Sequence, residues 1–209
     1  MRRVRRDLGQ DHRYAHTLRV ARFAERLAFK HGENPHRARL AGLFHDLARL
    51  WSAERLVEEC RRRGMEIDDF ERVNPIVLHA RLGAELAREC YGVEDEAVLS
   101  AIRKHTVAAA DMSRLDIIVY LADGLEPGRR FPERAHYARV AERDLEQALR
   151  ELLSSTIRYL DSRGLETAPQ TRAAAEAFAL PLASVSGRRL ESTLLTTARR
   201  SPDAPSHDP

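Results

Sequence analysis

The sequence predicts an all-α protein with a single domain. Apolar residues recur at the three-to-four-residue spacing of helices, and no segment shows sustained alternation of apolar and polar residues. Proline and glycine are sparse before the C-terminal region, and where they occur they mark helix ends. The length of 209 residues fits one domain.

Caps and breakers place the helices along the chain. Ser52 and Ser113 are favourable N-caps, Asn34 and Asn74 each precede a proline, and Asp95 or Glu94 opens a further helix. The segment 68–73 is ambiguous between a short helix and a loop. In chain order, the periodicity predicts helices over 13–31, 35–47, 53–63, 75–91, 97–105, 115–125, 140–160 and 171–178.

Three regions differ in character. Residues 1–12 form a basic N-terminal arm, and 13–180 hold the helical domain. Within it, 40–47 is apolar around almost the whole helix circumference, which indicates a central, buried helix. Residues 181–209 are rich in proline and polar side chains, and we predict a flexible tail there.

Composition excludes several classes of protein. The chain is 43% apolar and 32% charged, as expected for a solvated globular domain, and has no apolar run near the roughly 18 residues of a membrane span. The basic N-terminus has no apolar segment behind it, so it is not a secretory signal. Two cysteines cannot form a disulfide scaffold, which indicates the cytoplasm. A net charge of +3 is too small to indicate a nucleic-acid partner.

Four histidines and two aspartates lie in or beside apolar helices. Burying such groups without partners is costly, and a bound metal ion would satisfy all of them together. Each taken alone fits a core or surface role, and Asp123 fits an ion pair with Arg129 or Arg130. As a set, they predict a metal site assembled from several helices: His16, His45, Asp46, His79, His105 and Asp123.

Asp46 is the natural bridge between two ions. Adjacent helix residues point about 100° apart, so His45 and Asp46 flank an ion, and the second oxygen of Asp46 is free for a neighbouring ion. His16, His45 and Asp123 would complete the first ion, and His79 and His105 would hold the second.

Two ions a few ångströms apart can hold a hydroxide that attacks phosphorus near neutral pH. Hydrolysis of a phosphate ester or a phosphoanhydride is therefore the reaction class that this set serves best. An anionic substrate would need basic side chains nearby. Arg13, Arg49, Lys104 and Arg129 are candidates, although each fits a solvated surface equally well.

The ordered residues and the words around them resemble the HD superfamily of metal-dependent phosphohydrolases, and in particular its YqeK branch. The resemblance covers roughly 13–179. It is carried by the words Arg13-Tyr14-Ala15-His16, Ala41-Gly42-Leu43-Phe44-His45-Asp46-Leu47-Ala48, Leu78-His79-Ala80, Ala101-Ile102-Arg103-Lys104-His105-Thr106, Ala122-Asp123-Gly124-Leu125-Glu126-Pro127-Gly128-Arg129, and Gly164-Leu165 through Thr171-Arg172-Ala173.

This resemblance implies a helical bundle of the HD type and a symmetrical bis(5'-nucleosyl)-tetraphosphatase that hydrolyses diadenosine tetraphosphate to two ADP. It implies iron as the native metal, with manganese or another divalent ion as the alternative, and Asp46 as the catalytic ligand. The six residues above would bind the metal, and a second set would bind substrate: Arg13, Arg49, Lys104, Thr106 and Arg129.

Two positions depart from the family pattern. Arg49 stands where lysine is usual, and 107–110 lacks the usual glycine, which would reshape the phosphate pocket. Two alternatives remain open. One is an HD-type hydrolase of a nucleoside monophosphate or a cyclic dinucleotide, and the other is a non-catalytic helical module that binds nucleic acid through the basic arm. Homodimerisation is also open.

Overall fold

The computed structural model describes residues 4–5 and 9–178, and in this part of the chain all regular structure is helical. This confirms the all-α prediction. The predicted tail over 181–209, and residues 1–3 and 6–8 of the predicted arm, lie outside the described residues. None of the described helices is long and apolar enough to cross a bilayer.

The helices follow one another with short connections. In chain order they are α1 (Asp11–Lys30), α2 (Pro35–Phe44), α3 (Ala53–Arg62), α4 (Asp69–Val73), a 3₁₀ turn (Pro75–Val77), α5 (Leu78–Tyr91), α6 (Glu96–Lys104), α7 (Arg114–Leu125), α8 (Arg134–Ala141), α9 (Leu145–Ser162) and α10 (Pro169–Ala177).

Four of the predicted N-caps are confirmed by hydrogen bonds, whereas the side chain of Asn74 makes no cap bond and Pro75 begins a 3₁₀ turn. The Asn34 side chain accepts from two backbone amides of the first turn of α2, and Pro35 occupies the first helical position. Ser52 caps α3, Asp95 caps α6 and Ser113 caps α7 in the same way. The starts of these helices are therefore set by local side-chain chemistry.

The single helix predicted over 140–160 is wrong. The chain forms two helices there, because α8 ends at Ala141 and α9 begins at Leu145. The Asp144 side chain accepts a hydrogen bond of 2.9 Å from the backbone amide of Gln147, so it acts as an N-cap within the predicted segment.

The helix predicted to run to Leu47 ends three residues earlier. The α-helix stops at Phe44, and 45–50 form turns in which the amide of Arg49 donates to the carbonyl of Asp46 over 3.0 Å. The His-Asp pair therefore lies at the end of the buried helix, where the backbone no longer follows the α-helical hydrogen-bond pattern.

Helix α2 is central, as its apolar circumference predicted. It contacts α1, α5, α6 and α7. Helix α7 is equally buried, with every side chain from Leu115 to Ala122 inside the core. These neighbours of α2 are the elements that carry the candidate ligands, so packing around one apolar helix brings the site together.

Gly42 lets α1 and α2 approach closely. A Cβ atom at this position would lie 2.8 Å from the Cα of Ala21 on α1, closer than real Cβ atoms come to backbone. His16 lies on α1 and His45 ends α2. The absence of a side chain at Gly42 therefore sets how near these two histidines can come.

The loop that departs from the family pattern contains a residue in the left-handed region. Ala108 has a φ of +60°, a conformation in which glycine is favoured, and its side chain is buried. The hydroxyl of Thr171 on α10 donates to the carbonyl of Val107 over 2.7 Å. Packing and this bond hold the loop in a conformation that its alanine disfavours.

Replacing Gly42 with alanine should lower the stability of the metal-free protein by about 1–3 kcal/mol, measured by urea unfolding. The helix-propensity gain of about 0.5–1 kcal/mol should not offset the clash with the α1 backbone.

The matched control is Gly124→Ala on α7. There the new Cβ would meet only the flexible end of Leu152, at 2.7 Å, and the propensity gain is the same. The control should stay within about 1 kcal/mol of wild type. Equal losses in both variants would contradict a limit set by the α1–α2 approach.

Candidate metal centre

The structure brings all six predicted ligands together from five segments of the chain. The five histidine and aspartate side chains other than Asp123 are buried, and Asp123 is partly buried. His16 lies on α1, His45 and Asp46 follow α2, His79 begins α5, His105 follows α6, and Asp123 lies near the end of α7.

The two oxygens of Asp46 face different pairs of imidazoles. Its Oδ2 lies 3.4 Å from Nε2 of His45 and 3.8 Å from Nε2 of His16. Its Oδ1 lies 3.4 Å from Nε2 of His79 and 3.9 Å from Nε2 of His105. A carboxylate in this position can contribute one oxygen to each of two neighbouring cations.

Asp123 completes one side of the cluster. Its Oδ1 lies 3.1 Å from Nε2 of His16 and 3.7 Å from Nε2 of His45. Two sets of three residues could each hold a cation, because the ligand atoms inside each set lie within 4.8 Å of one another. One set is His16, His45 and Asp123, and the other is His45, Asp46 and His105. His45 thus belongs to both sets, whereas it was predicted for the first ion alone.

The orientation of three imidazoles follows from the backbone. A carbonyl oxygen can only accept, so a hydrogen bond to it places the proton on Nδ1 and leaves the Nε2 lone pair for the centre of the cluster. In each case the acceptor is the carbonyl three residues earlier: His45 to Gly42 at 2.8 Å, His79 to Ile76 at 2.5 Å, and His105 to Ile102 at 2.7 Å.

His16 is oriented by a side chain that sequence reasoning did not assign. Its Nδ1 lies 3.1 Å from Oε1 of Glu126, and Glu126 accepts further hydrogen bonds from Arg19. The Glu126-Pro127-Gly128-Arg129 word was the available signal, since a glutamate directly after a buried apolar helix needs a partner. Burial opposes ionisation, but the bonds from Arg19 and the Gly128 amide lower the pKa of Glu126 to about 2.

The cluster's electrostatics favour a bound cation. Burial opposes ionisation of Asp46, but the positive charge of the surrounding imidazoles, above all that of His45, holds the pKa of Asp46 far below its usual range. Burial together with the charges of His45 and His79 lowers the pKa of His105 to about 3. The Nε2 atoms of His79 and His105 face each other at 3.2 Å.

Two buried nitrogen atoms test whether these residues fit a metal. Nε2 of His16 and Nε2 of His45 have no hydrogen-bond partner, and both lie beside the carboxylate oxygens of Asp46. Leaving a buried polar atom unpaired costs about 1–3 kcal/mol. Imidazole nitrogen and carboxylate oxygen are ligands of iron, manganese and zinc, so the residues fit a divalent metal site.

Three arginines border the carboxylates. Nη1 of Arg13 lies 3.4 Å from Oδ2 of Asp46, and Nη2 of Arg129 lies 2.5 Å from Oδ1 of Asp123. Arg49 is half-buried, and burial followed by the like charge of Arg13 lowers its pKa. Positive charge therefore gathers on the side of the cluster formed by Asp46 and Asp123, where an anion could bind.

Two further residues predicted to bind substrate have different surroundings. The hydroxyl of Thr106 lies 3.0 Å from Nε2 of His105, so it borders the centre of the cluster. The ammonium of Lys104 lies 3.1 Å from both Asp111 and the buried Asp116. Its charge is thus already balanced, and its role in substrate binding stays a prediction.

Comparison with known proteins decides the family. The model of the HD domain family matches residues 13–128, more than half of the chain. The chain belongs to this family. HD domains are metal-dependent hydrolases, in agreement with the fit of the cluster to a metal.

Two relatives of the chain carry the name symmetrical bis(5'-nucleosyl)-tetraphosphatase. The protein of Bacillus subtilis is 35% identical, over 77% of this chain and 86% of its own. The protein of Halalkalibacterium halodurans is 37% identical, over 78% of this chain and 87% of its own. Both alignments cover most of the described helices.

A solved structure shares the HD-domain fold. It is the crystal structure of a predicted HD superfamily hydrolase involved in NAD metabolism from Clostridium acetobutylicum, with 36% sequence identity. The TM-score is 0.80, over 83% of this chain and 91% of that chain. The likeness therefore extends beyond the segment matched by the family model.

Saturating Mn²⁺ should raise the melting temperature of the wild-type protein, because a cation bound only by the folded state stabilises it. At a Mn²⁺ concentration of a hundred times Kd, the gain in the free energy of unfolding is about 2.7 kcal/mol per ion. His45→Ala should lose most of the Mn²⁺-induced shift, since His45 belongs to both ligand sets.

His36→Ala is the control, because His36 is exposed at the start of α2 and should leave the shift unchanged. A shift of wild-type size in His45→Ala, measured by calorimetry, would speak against a metal centre at this cluster.

Proposed function

We propose that this chain hydrolyses diadenosine tetraphosphate symmetrically to two ADP in the cytoplasm. The observation that carries the proposal is the position of Asp46, whose oxygens face imidazole pairs on two sides while Arg13, Arg49 and Arg129 gather nearby. This combination suits a substrate with several adjacent phosphates. The names of the two relatives supply the substrate and the symmetry of cleavage.

Two divalent ions would bind in this proposal. His16, His45, Asp46 and Asp123 would hold one, and His79, His105 and the other oxygen of Asp46 would hold the second, with His45 within reach of both. Iron would be the native metal, with manganese as the alternative. Bound ions of this kind supply Lewis acidity, which lowers the pKa of water and offsets charge on phosphoryl oxygens.

The protein's own groups position the substrate. Hydrolysis forms a bond between a water oxygen and one inner phosphorus, and breaks the bond from that phosphorus to the oxygen shared with the other inner phosphorus. One ADP leaves with the shared oxygen, and the second ADP keeps the water oxygen. Arg13, Arg49 and Arg129 would bind phosphoryl oxygens that become more negative during this step. Arg129 now donates to Asp123, so it holds that carboxylate and lies ready to share its charge with substrate.

A second candidate is hydrolysis of a different nucleotide, either a nucleoside monophosphate or a cyclic dinucleotide, on the same scaffold. The loop after Thr106 favours this candidate, because it carries a buried alanine in the left-handed region. A buried methyl group there changes how the loop packs beside the cluster. Turnover of a panel of these nucleotides at fixed Mn²⁺ concentration separates the two candidates.

Incubation of metal-loaded protein with diadenosine tetraphosphate should yield ADP as the sole nucleotide product, measured by ion-exchange chromatography. Asp46→Ala should lose turnover, because it removes an oxygen facing each pair of imidazoles. ATP together with AMP would contradict symmetrical cleavage. Elemental analysis of protein purified without oxygen tests iron as the native metal.

Arg49→Ala should reduce kcat/KM for diadenosine tetraphosphate by roughly 10- to 150-fold, the effect of removing one hydrogen bond to a charged group. Arg49→Lys keeps the charge and should retain much of the activity. Arg39→Ala makes the same change in net charge at an exposed ion pair with Glu25, and should change kcat/KM by less than about two-fold. Equal losses at both positions would contradict a local role for Arg49.

A further inference from the structure

His16 differs from the other three clustered histidines in the group that holds its ring. Its Nδ1 lies 3.1 Å from a carboxylate oxygen of Glu126, whereas His45, His79 and His105 face backbone carbonyls. A carboxylate acceptor fixes the tautomer as a carbonyl does, and it also raises the basicity of the ring as a ligand. The two halves of the cluster are therefore built differently.

Glu126 is fixed from several sides. Its Oε2 accepts from Nε of Arg19 at 2.5 Å and from the backbone amide of Gly128 at 2.5 Å, and its Oε1 accepts from Nη2 of Arg19 at 3.1 Å. The glutamate is only 1% exposed. Both oxygens thus have donors, and the carboxylate cannot rotate away from His16 without losing them.

Gly128 makes room for this arrangement. A Cβ atom at Gly128 would lie 2.5 Å from Nη2 and 2.7 Å from Cζ of Arg19. The missing side chain allows the guanidinium of Arg19 to lie against the backbone and reach Glu126. The Glu-Pro-Gly-Arg word therefore supplies both the carboxylate and the space for the arginine that holds it.

We infer that Glu126 is a positioning residue, which together with Arg19 and Gly128 keeps the proton of His16 on Nδ1 and strengthens cation binding at the His16 and Asp123 side of the cluster. This inference rests on the proposed metal site. The side formed by His79 and His105 does not depend on Glu126, because backbone carbonyls orient those rings.

Glu126→Gln tests the role of the carboxylate with little change of shape. A glutamine has a single oxygen, and the two donors at Oε2, from Arg19 and Gly128, should keep it there. Its amide would then donate toward Nδ1 of His16, which moves the His16 proton to Nε2. That atom faces Asp46 and Asp123, so the ring could no longer bind a cation without losing this proton.

Two measurements that do not depend on enzymatic activity detect this shift of the His16 proton and its effect on cation binding. Long-range ¹H–¹⁵N NMR of the metal-free protein should show the Nδ1–H tautomer of His16 in wild type and the Nε2–H tautomer in Glu126→Gln. Titration with Mn²⁺, followed by the electron paramagnetic resonance of the free ion, should show one bound Mn²⁺ weakened roughly 10- to 100-fold. The second Mn²⁺ should weaken by less.

Arg19→Ala is the second variant, and it decides the test if circular dichroism shows that Glu126→Gln does not fold. The side chain of Arg19 is 38% exposed, so its removal should be tolerated, and the loss of Mn²⁺ affinity should lie between wild type and Glu126→Gln. Arg19→Lys should recover part of the loss. Arg22→Ala, at an exposed arginine on the same helix, should match wild type.

Unchanged His16 tautomer and unchanged Mn²⁺ affinity in folded Glu126→Gln or Arg19→Ala would overturn the inference while wild type still binds Mn²⁺. Wild type that binds no Mn²⁺ would overturn the proposed metal site and the inference with it.

Discussion

The site depends on a hydrogen bond at the outer nitrogen of every clustered imidazole. Three rings donate Nδ1–H to backbone carbonyls three residues earlier, and His16 is held by Glu126. Each bond fixes a tautomer and directs the Nε2 lone pair inward, toward Asp46. A divalent cation at the centre would satisfy these nitrogen atoms and the carboxylate together.

The backbone supplies two of these acceptors because of where helices end, and the third, for His79, lies in the 3₁₀ turn before α5. His45 and His105 occupy the C-caps of α2 and α6, where the last carbonyls lack partners in the helix. An imidazole at such a position can bind the carbonyl three residues earlier. Helix length and ligand orientation are therefore set by the same few residues, and the shorter α2 observed in the structure is part of the site.

Much of the fold followed from the sequence, because caps and breakers act locally. Asn34, Ser52 and Ser113 begin helices through contacts within three residues, and such contacts are visible in sequence. The apolar circumference of α2 also predicted its central place. The break before α9 was missed because the apolar period continues through it, and one capping aspartate, Asp144, decides it.

The composition of the candidate site was easier to predict than its support. The six ligands could be predicted because imidazoles and carboxylates are costly to bury without partners. Glu126 could not, because it contacts His16 and Arg19 across 110 and 107 positions of the chain. Periodicity carries no information on contacts at that distance. The sharing of His45 between the two ligand sets is likewise a property of three-dimensional placement.

Gly42 meets two requirements at once. Its missing side chain sets the spacing of α1 and α2, and its carbonyl oxygen holds the ring of His45. Any residue with a side chain here would shift the helix and turn the ligand in one movement. At this glycine the spacing of the helices and the orientation of the His45 ring cannot be varied independently. Redesign of the coordination geometry must therefore begin at other positions.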